Sequence, residues 1–537
     1  DMRFWAEDGT PPGFGHELFA DDLERIEDNM MRAIDRVPVV GTAGIKRVIN
    51  GPMIWSPDAN VLFGPVPELR GYFCCNGIIP GFSQSGGMGL LAAQWIIEGE
   101  TQYDMFAWDM ARFGDWADKA FTKARVRDQY ANRFKIHFPN EERSAGRPAR
   151  TRPVYDVQGQ LGAVFGLNAG WEHPLWFADA PGAQDTDGFT RQNWWGPVGT
   201  ECRMLRDRAG IIDISNFAKY RCKGPGAEDW LNAVFANRMP VAVGRSCLTP
   251  LIGKRGGIAG DFTVTRTADD EFWVIGSGMA ERYHQRFFRA VPLPEGTTFD
   301  SMTEAMCGFN VAGPDSRALL QRLTNASLDT DDFPFMRSQW IELAGVQVLA
   351  LRGSVTGDLG WELHCRTQDQ TQLYAALIEA GKTFGAGPVG SRALMSLRIE
   401  KGYGSWGREY SPEYWPQEVA LDRLCKMDKV FLNRDALATT LAQPAREHLV
   451  LLALDAADTD ASNADATGGE PIFKDGQGIG RVTSGAYGYS VGMSLALGYV
   501  TGAVAGDVVD VMVLGQPHRA TILAKPPFDP EGARLRA

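Results

Sequence analysis

Short apolar runs broken by Pro and Gly mark residues 45–73: Arg47-Val48-Ile49-Asn50-Gly51-Pro52, Trp55-Ser56-Pro57-Asp58 and Asn60-Val61-Leu62-Phe63-Gly64-Pro65. Proline fixes φ and glycine supplies positive φ, so the pattern predicts strands joined by tight turns. A strand over 71–76 leads into a glycine-rich turn over 81–89, then an Ala/Leu/Ile-rich helix over 90–98. Residues 105–148 read as mostly helical and end in a loop over 141–153, the best linker candidate. Aromatics and glycines crowd residues 159–177 and 193–196. From 201 to 435 helices and strands alternate, with an amphipathic helix over 227–236 and strands over 262–266 and 272–275. A polar loop over 455–469 precedes short strands and glycine turns over 470–513, which predict a small terminal β-barrel. No internal repeat is present.

A chain of 537 residues exceeds what one core organises, which predicts two to four domains. Its 54 Lys and Arg against 66 Asp and Glu give a net charge of -12 without any basic run. Nucleic acid is thereby excluded as a partner, since phosphate binding needs a concentrated basic surface. The longest apolar stretches, 89–97 and 495–500, fall far short of the roughly 20 residues that span a bilayer, so no membrane partner is expected. The first residues form no readable targeting signal. The eight cysteines include no CxxC pair and read as reduced thiols. A cytoplasmic setting is expected, with the mitochondrial matrix as the alternative.

No GxSxG, HExxH or P-loop occurs, and the seven histidines are too dispersed to form a local metal site. Four stretches remain as candidates. The turn over 83–89, before a helix N-terminus, suits an anionic or carbonyl-bearing ligand, or else only permits close packing. Asp261 lies between a flexible glycine segment, 256–260, and an apolar strand; a carboxylate so placed can bind ring nitrogens or hold a proton, or simply cap a turn. In 357–364 alternation sends Trp361 and Leu363 one way and Glu362 and His364 the other. A Glu facing a concave interior could pair with an aminopyrimidine-like edge; on a solvent face it would do nothing. The stretch 397–409 is either a solvated face with ion pairs or a ligand wall.

Taken in order, Asn50-Gly51-Pro52, the segment 82–89, Gly162-Ala163-Val164-Phe165-Gly166, the segment 170–177, Asp213-Ile214-Ser215, the segments 256–264, 357–363 and 397–409, and Gly480-Arg481-Val482-Thr483-Ser484-Gly485 resemble the dimethylglycine/sarcosine dehydrogenase and dimethylglycine oxidase family. The resemblance implies an α+β multidomain fold: the C-terminal part of a FAD-dependent oxidoreductase domain over 1–100, a helical linker over 101–156, a glycine-cleavage T-protein-like folate domain over 157–440 and a β-barrel over 441–537. It also implies two cofactors, FAD and tetrahydrofolate. Phe82, Ser83, Gln84, Ser85, Gly86, Gly87 and Met88 would lie against the flavin. Asp261 would be the catalytic acid/base toward folate. Ala259, Val355, Glu362, Leu363, His364, Arg398 and Tyr403 would complete the folate site. The family usually has a tyrosine at the position of Val355, whose loss removes a hydroxyl and predicts weaker or altered binding. The expected reaction is folate-linked oxidative demethylation of a small methylated amine, with oxygen or an electron-transfer flavoprotein as acceptor. The family's nucleotide-binding fingerprint and flavin-linking histidine have no counterparts here, so truncation or a partner chain supplying the flavin-binding part is expected. The rival expectations are a folate-binding aminomethyltransferase-like module without oxidase activity of its own, or a demethylase of the same fold acting on a different methylated substrate.

Overall fold

The computed structural model describes residues 12–15, 17–455 and 464–537. Its first portion contains α1 (Glu27–Arg36), a hairpin of β1 (Leu62–Pro65) and β2 (Phe73–Asn76), α2 (Gly81–Glu98) and α3 (Lys119–Asn132). Asp118 caps α3 by accepting the Phe121 N–H at 2.8 Å, and Gly99, at φ 81°, ends α2 in the left-handed region that glycine adopts without strain. Two expectations are corrected here. Residues 45–61 form no strand, and the glycine-rich segment 81–89 is not a turn before a helix but the first half of α2 itself. Packing of Met88, Leu91 and Trp95 against Phe63 and Phe73 holds this glycine-rich segment helical against its poor propensity. The span 105–148 is also less helical than expected, with α3 its one α-helix.

The central portion comprises α4 (Tyr155–Gln160), β3 (Ala163–Asn168), β4 (Trp171–Phe177), α5 (Trp195–Asp207), β5 (Gly210–Asp213), β6 (Ala218–Lys223), α6 (Ala227–Val234), β7 (Ser246–Ile252), β8 (Ile258–Ala268), β9 (Glu271–Gly276), α7 (Glu281–Phe288), β10 (Thr298–Ser301), β11 (Met306–Ala312), α8 (Ser316–Gln321), β12 (Ser338–Leu343), β13 (Val346–Arg352), β14 (Gly360–Arg366), α9 (Gln370–Lys382), β15 (Gly387–Val389), α10 (Ser391–Glu400) and α11 (Arg434–Leu441). Strands β10-β6-β9-β8-β7 form one sheet and β12-β13-β14-β11-β5-β15 the other. Helix α6 covers the first through Trp230, Leu231 and Val234; α8 and α9 cover the second through Leu319, Leu320, Leu373 and Tyr374. Trp273 on β9, Met306 on β11 and Leu349 on β13 join the two sheets.

The terminal portion is a closed six-stranded barrel of β16 (His448–Leu454), β17 (Pro471–Lys474), β18 (Gln477–Gly488), β19 (Met493–Val500), β20 (Val508–Val513) and β21 (Gln516–Leu523), followed by α12 (Ala533–Arg536). Closure leaves no unpaired edge. The expected polar loop over 455–469 lies partly outside the described residues; 464–469 within it carry no strand.

Two buried ion clusters fasten these portions together. Arg206 on α5 pairs with Glu400 on α10 at 2.8 Å and with Asp358, and its guanidinium stacks 3.4 Å from the Phe528 ring beyond the barrel. Arg398 on α10 pairs with Glu409 at 2.7 Å and donates to Ser484 of β18 at 2.8 Å. Unpaired, such charges would cost several kcal/mol each to bury, so their partners fix the docking of α10 and the barrel.

Candidate functional site

Asp261 sits on β8, opposite Pro250 of β7. Its entry is tightly packed rather than flexible: a Cβ at Gly257 would lie 1.9 Å from the Pro412 carbonyl oxygen. Burial pushes the Asp261 carboxyl up to about 6, opposed only by its own backbone N–H. The side chain is not sealed, however; it retains partial exposure, and among the described residues no other side chain hydrogen-bonds to it. A carboxyl that is desolvated by its walls, accessible and unpartnered can take a ligand proton or give one near neutral pH.

An aromatic cluster packs on the opposite, Gly260 side of β8 and reaches toward Asp261 through Tyr410. His284 of α7 is fully buried, its ring centroid 4.8 Å from that of Phe262 and 5.1 Å from that of Trp406. Trp406 in turn packs on Phe106 at 4.9 Å, so the segment before α3 contributes to the cluster. Tyr410 follows the 397–409 stretch and lies within electrostatic reach of Asp261; burial raises its phenol, and the Asp261 charge adds to that. The Ala259 side chain is buried and its carbonyl is taken by His284 Nε2 at 3.1 Å.

A second group lies on the other sheet. Strand alternation holds as expected: Trp361 and Leu363 point into the core, while Glu362 and His364 share the opposite face, 3.6 Å apart. Leu363 is therefore corrected as a ligand contact, because its whole side chain is enclosed among core residues. Glu362 keeps about a fifth of its side chain exposed (19%), whereas His364 is enclosed (1%) and neither of its ring nitrogens has a hydrogen-bond partner. Burial lowers the His364 value and Glu362 opposes it. Beneath them Lys219 of β6 is inaccessible, donates to the Ser215 and Phe217 carbonyls at 3.1 and 2.9 Å, and is pushed down to about 8 by burial and then by Arg152. Val355 projects from the turn before β14, more than a third exposed. The Ser354 hydroxyl donates to Asn310 Oδ1 at 3.2 Å, and Asn310 is the register partner of Glu362, so this bond ties the Val355 turn to the strand beside Glu362.

Arg398 is also corrected. It is 1% exposed and committed to Glu409, Ser484 and the Tyr403 carbonyl, neither solvated nor open to a ligand. Asp358 likewise belongs to the Arg206 cluster. The Tyr403 phenol is raised by burial and by Asp529, which places it toward the C-terminal tail. No hydrogen bond or ion pair among the described residues joins Asp261 to Glu362, Arg398 or Tyr403. Residues 82–88 form about the first two turns of α2, mostly exposed: Phe82 is fully exposed, Met88 is buried, and a Cβ at Gly86 or Gly87 would meet nothing within 4 Å. They present one open face and not an enclosed pocket. Sequence reasoning missed His284, Tyr410 and Lys219; only Tyr410, adjacent to the 397–409 stretch, carried a local signal.

All eight cysteines are unpaired. No described helix is long and apolar enough to cross a membrane.

Comparison with known proteins places these features. The GCVT N-terminal domain model matches residues 154–429, the FAD dependent oxidoreductase central domain 98–151, and the glycine cleavage T-protein C-terminal barrel domain 448–529. Dimethylglycine dehydrogenase, mitochondrial, of Mus musculus is 35% identical over 99% of the chain and 61% of its own length; sarcosine dehydrogenase, mitochondrial, of the same organism is 30% identical over 99% and 63%. The chain thus spans about three fifths of these relatives. The crystal structure of glycine cleavage system aminomethyltransferase T from Bartonella henselae, 23% identical, superposes with a TM-score of 0.61 over 71% of this chain and 98% of that one, a likeness of fold. The chain belongs to the glycine cleavage T-protein family, in an arrangement that it shares along 99% of its length with dimethylglycine and sarcosine dehydrogenases.

Proposed function

We propose that this chain carries out the folate-dependent part of an oxidative N-demethylation, with a small methylated amine of the dimethylglycine or sarcosine type as substrate. FAD, when bound, supplies the two-electron oxidation of the N-methyl group, and oxygen or an electron-transfer flavoprotein takes the electrons. Tetrahydrofolate then captures the one-carbon unit as 5,10-methylenetetrahydrofolate. Asp261 is the observation that supports this reading most: an accessible, unpartnered carboxyl whose value of about 6 leaves both protonation states populated near neutrality. As base it takes the proton released when a folate nitrogen attacks the one-carbon unit. Glu362, on the facing sheet, accepts paired hydrogen bonds from the aminopyrimidine edge. Tyr410, packed in the cluster with Trp406 and Phe106, shields the transfer from water.

The open face at 82–88 fits one side of a flavin only. Its other contacts would come from further sequence or a partner chain; the oxidation depends on them, whereas the folate roles of Asp261 and Glu362 do not. The same openness favours a second reading, a folate-binding module without oxidase activity of its own. The unpaired thiols suit a reducing compartment, and the relatives' names point to the mitochondrial alternative.

Titration of the chain with tetrahydrofolate, followed by tryptophan fluorescence, tests the proposal. Saturable binding that falls at least tenfold in Asp261→Asn and in Glu362→Gln is expected; absence of binding to the wild type overturns the folate role. Amine-dependent bleaching of flavin absorbance separates the enzyme from the module.

A further inference from the structure

We propose that His284 is a positioning residue for Asp261, holding a β-bulge at Ala259 through an Nε2–H donated to the Ala259 carbonyl. This inference rests on the role given to Asp261 above. Between β7 and β8 the register runs from Leu251 opposite Gly260 to Ile252 opposite Ile258, so Ala259 is an extra residue without a partner on β7. Pairing with β9 begins only at Thr263. The Ala259 carbonyl is thus left out of both ladders, and it is buried. A buried carbonyl without a donor is costly, and His284 Nε2 supplies one at 3.1 Å.

The ring cannot serve another purpose. A carbonyl only accepts, so Nε2 carries the proton, while Nδ1 is enclosed without a partner. Burial presses the imidazole down to about 3, which keeps it uncharged through the physiological range. Phe262, Tyr283 and Trp406 pack on its faces and edges at centroid distances of 4.8, 5.6 and 5.1 Å. From the strand side a Cβ at Gly260 would lie 2.7 Å from Nε2, so only glycine lets the ring pass beneath this point.

The consequence falls on Asp261, one residue further. A bulge re-aims the side chains beyond it, and a strand that slips by one residue turns each side chain to the opposite face. Releasing the Ala259 carbonyl removes what pins the bulge, and Asp261 is then free to leave its desolvated position. The titratable group within electrostatic reach of the Asp261 carboxyl is Tyr410, from the segment after α10; His284 lies on the opposite, Gly260 face of β8 and acts only through the main chain.

The test compares wild type, Asp261→Asn, His284→Gln and His284→Leu. The Asp261 carboxyl is titrated by infrared difference spectroscopy, with Asp261→Asn identifying its band, and tetrahydrofolate affinity is measured from pH 5 to 8. Glutamine places an amide N–H where Nε2 stands, so it should keep the midpoint near the wild-type value of about 6 and hold affinity within about threefold. Leucine should move the midpoint toward the ordinary aspartate value of 3.8 and weaken binding at least tenfold. If the leucine variant does not fold, His284→Asn, whose amide is too short to reach Ala259, replaces it in the comparison with glutamine. An unchanged midpoint in the leucine or asparagine variant overturns the inference. Failure of the wild type to bind folate, with the midpoint shift intact, overturns the folate reading and leaves the positioning role standing.

Discussion

The Arg398 guanidinium meets the Glu409 carboxylate at 2.7 Å with both side chains shut away from solvent, at 2% and 0% exposure. Burial alone would raise Glu409, but Arg398, Ser484, Thr483 and the Ser405 N–H together hold it below its ordinary value of 4.5. The pair spans α10, the segment after it and β18 of the barrel. Arg398→Met leaves Glu409 buried without its counter-ion, and chemical denaturation should show a loss of about 3–5 kcal/mol. Arg398→Met combined with Glu409→Met should recover most of it. Because the folded value of Glu409 lies below the unfolded one, its contribution is present above pH about 4.5 and is lost as pH falls through the folded value.

Asp261 has the opposite sign. Its folded value, about 6, exceeds the ordinary 3.8, so the native state holds its proton more tightly and the associated stability fades as pH rises through 6. Asp261→Asn should therefore melt at a higher temperature than wild type at pH 8, with the difference shrinking toward pH 5, while folate affinity falls. A lower melting temperature at pH 8 would show that the carboxylate is stabilised by partners and not strained by its setting.

Two glycine replacements should diverge. Gly257→Ala drives a Cβ to 1.9 Å from the Pro412 carbonyl oxygen, and β8 must shift to relieve it; a marked fall in melting temperature is expected. Gly86→Ala meets open space on the surface of α2 and should stabilise by about 0.5–1 kcal/mol.

Val355→Tyr restores a hydroxyl at an exposed turn with room for a ring. If the turn borders the folate, one added hydrogen bond should tighten tetrahydrofolate binding by roughly two- to tenfold in calorimetric titration. Unchanged affinity would remove Val355 from the site.

The terminal barrel, α6, β8 and β9 were legible because each has a local period that matches its environment. Glu362 facing away from Trp361 and Leu363 followed from strand alternation alone, and that same alternation already placed Leu363 in the core despite its position in the motif. Arg398 was not legible: whether mixed charges on a helix meet water, a ligand or a buried acid depends on what docks there, and Ser484 comes from 86 residues further on. The glycine run of α2 misled because packing by Trp95 and Met88 outweighed local propensity. His284 gave no signal, since its partner is the main chain of a bulge and the bulge arises from the register of two strands.

Arg206, Asp358, Glu400 and Phe528 belong to four stretches of chain, yet they meet at one point. In a lineage accumulating substitutions these four are coupled: loss of Arg206 leaves Glu400 without its counter-ion, loss of either acid removes part of the charge that balances Arg206, and loss of Phe528 uncovers the guanidinium. The barrel and the sheets consequently behave as one heritable piece. A terminal barrel grafted from a distant relative would dock here only if it arrived with an aromatic ring to cover the Arg206 guanidinium and a hydroxyl to meet Arg398.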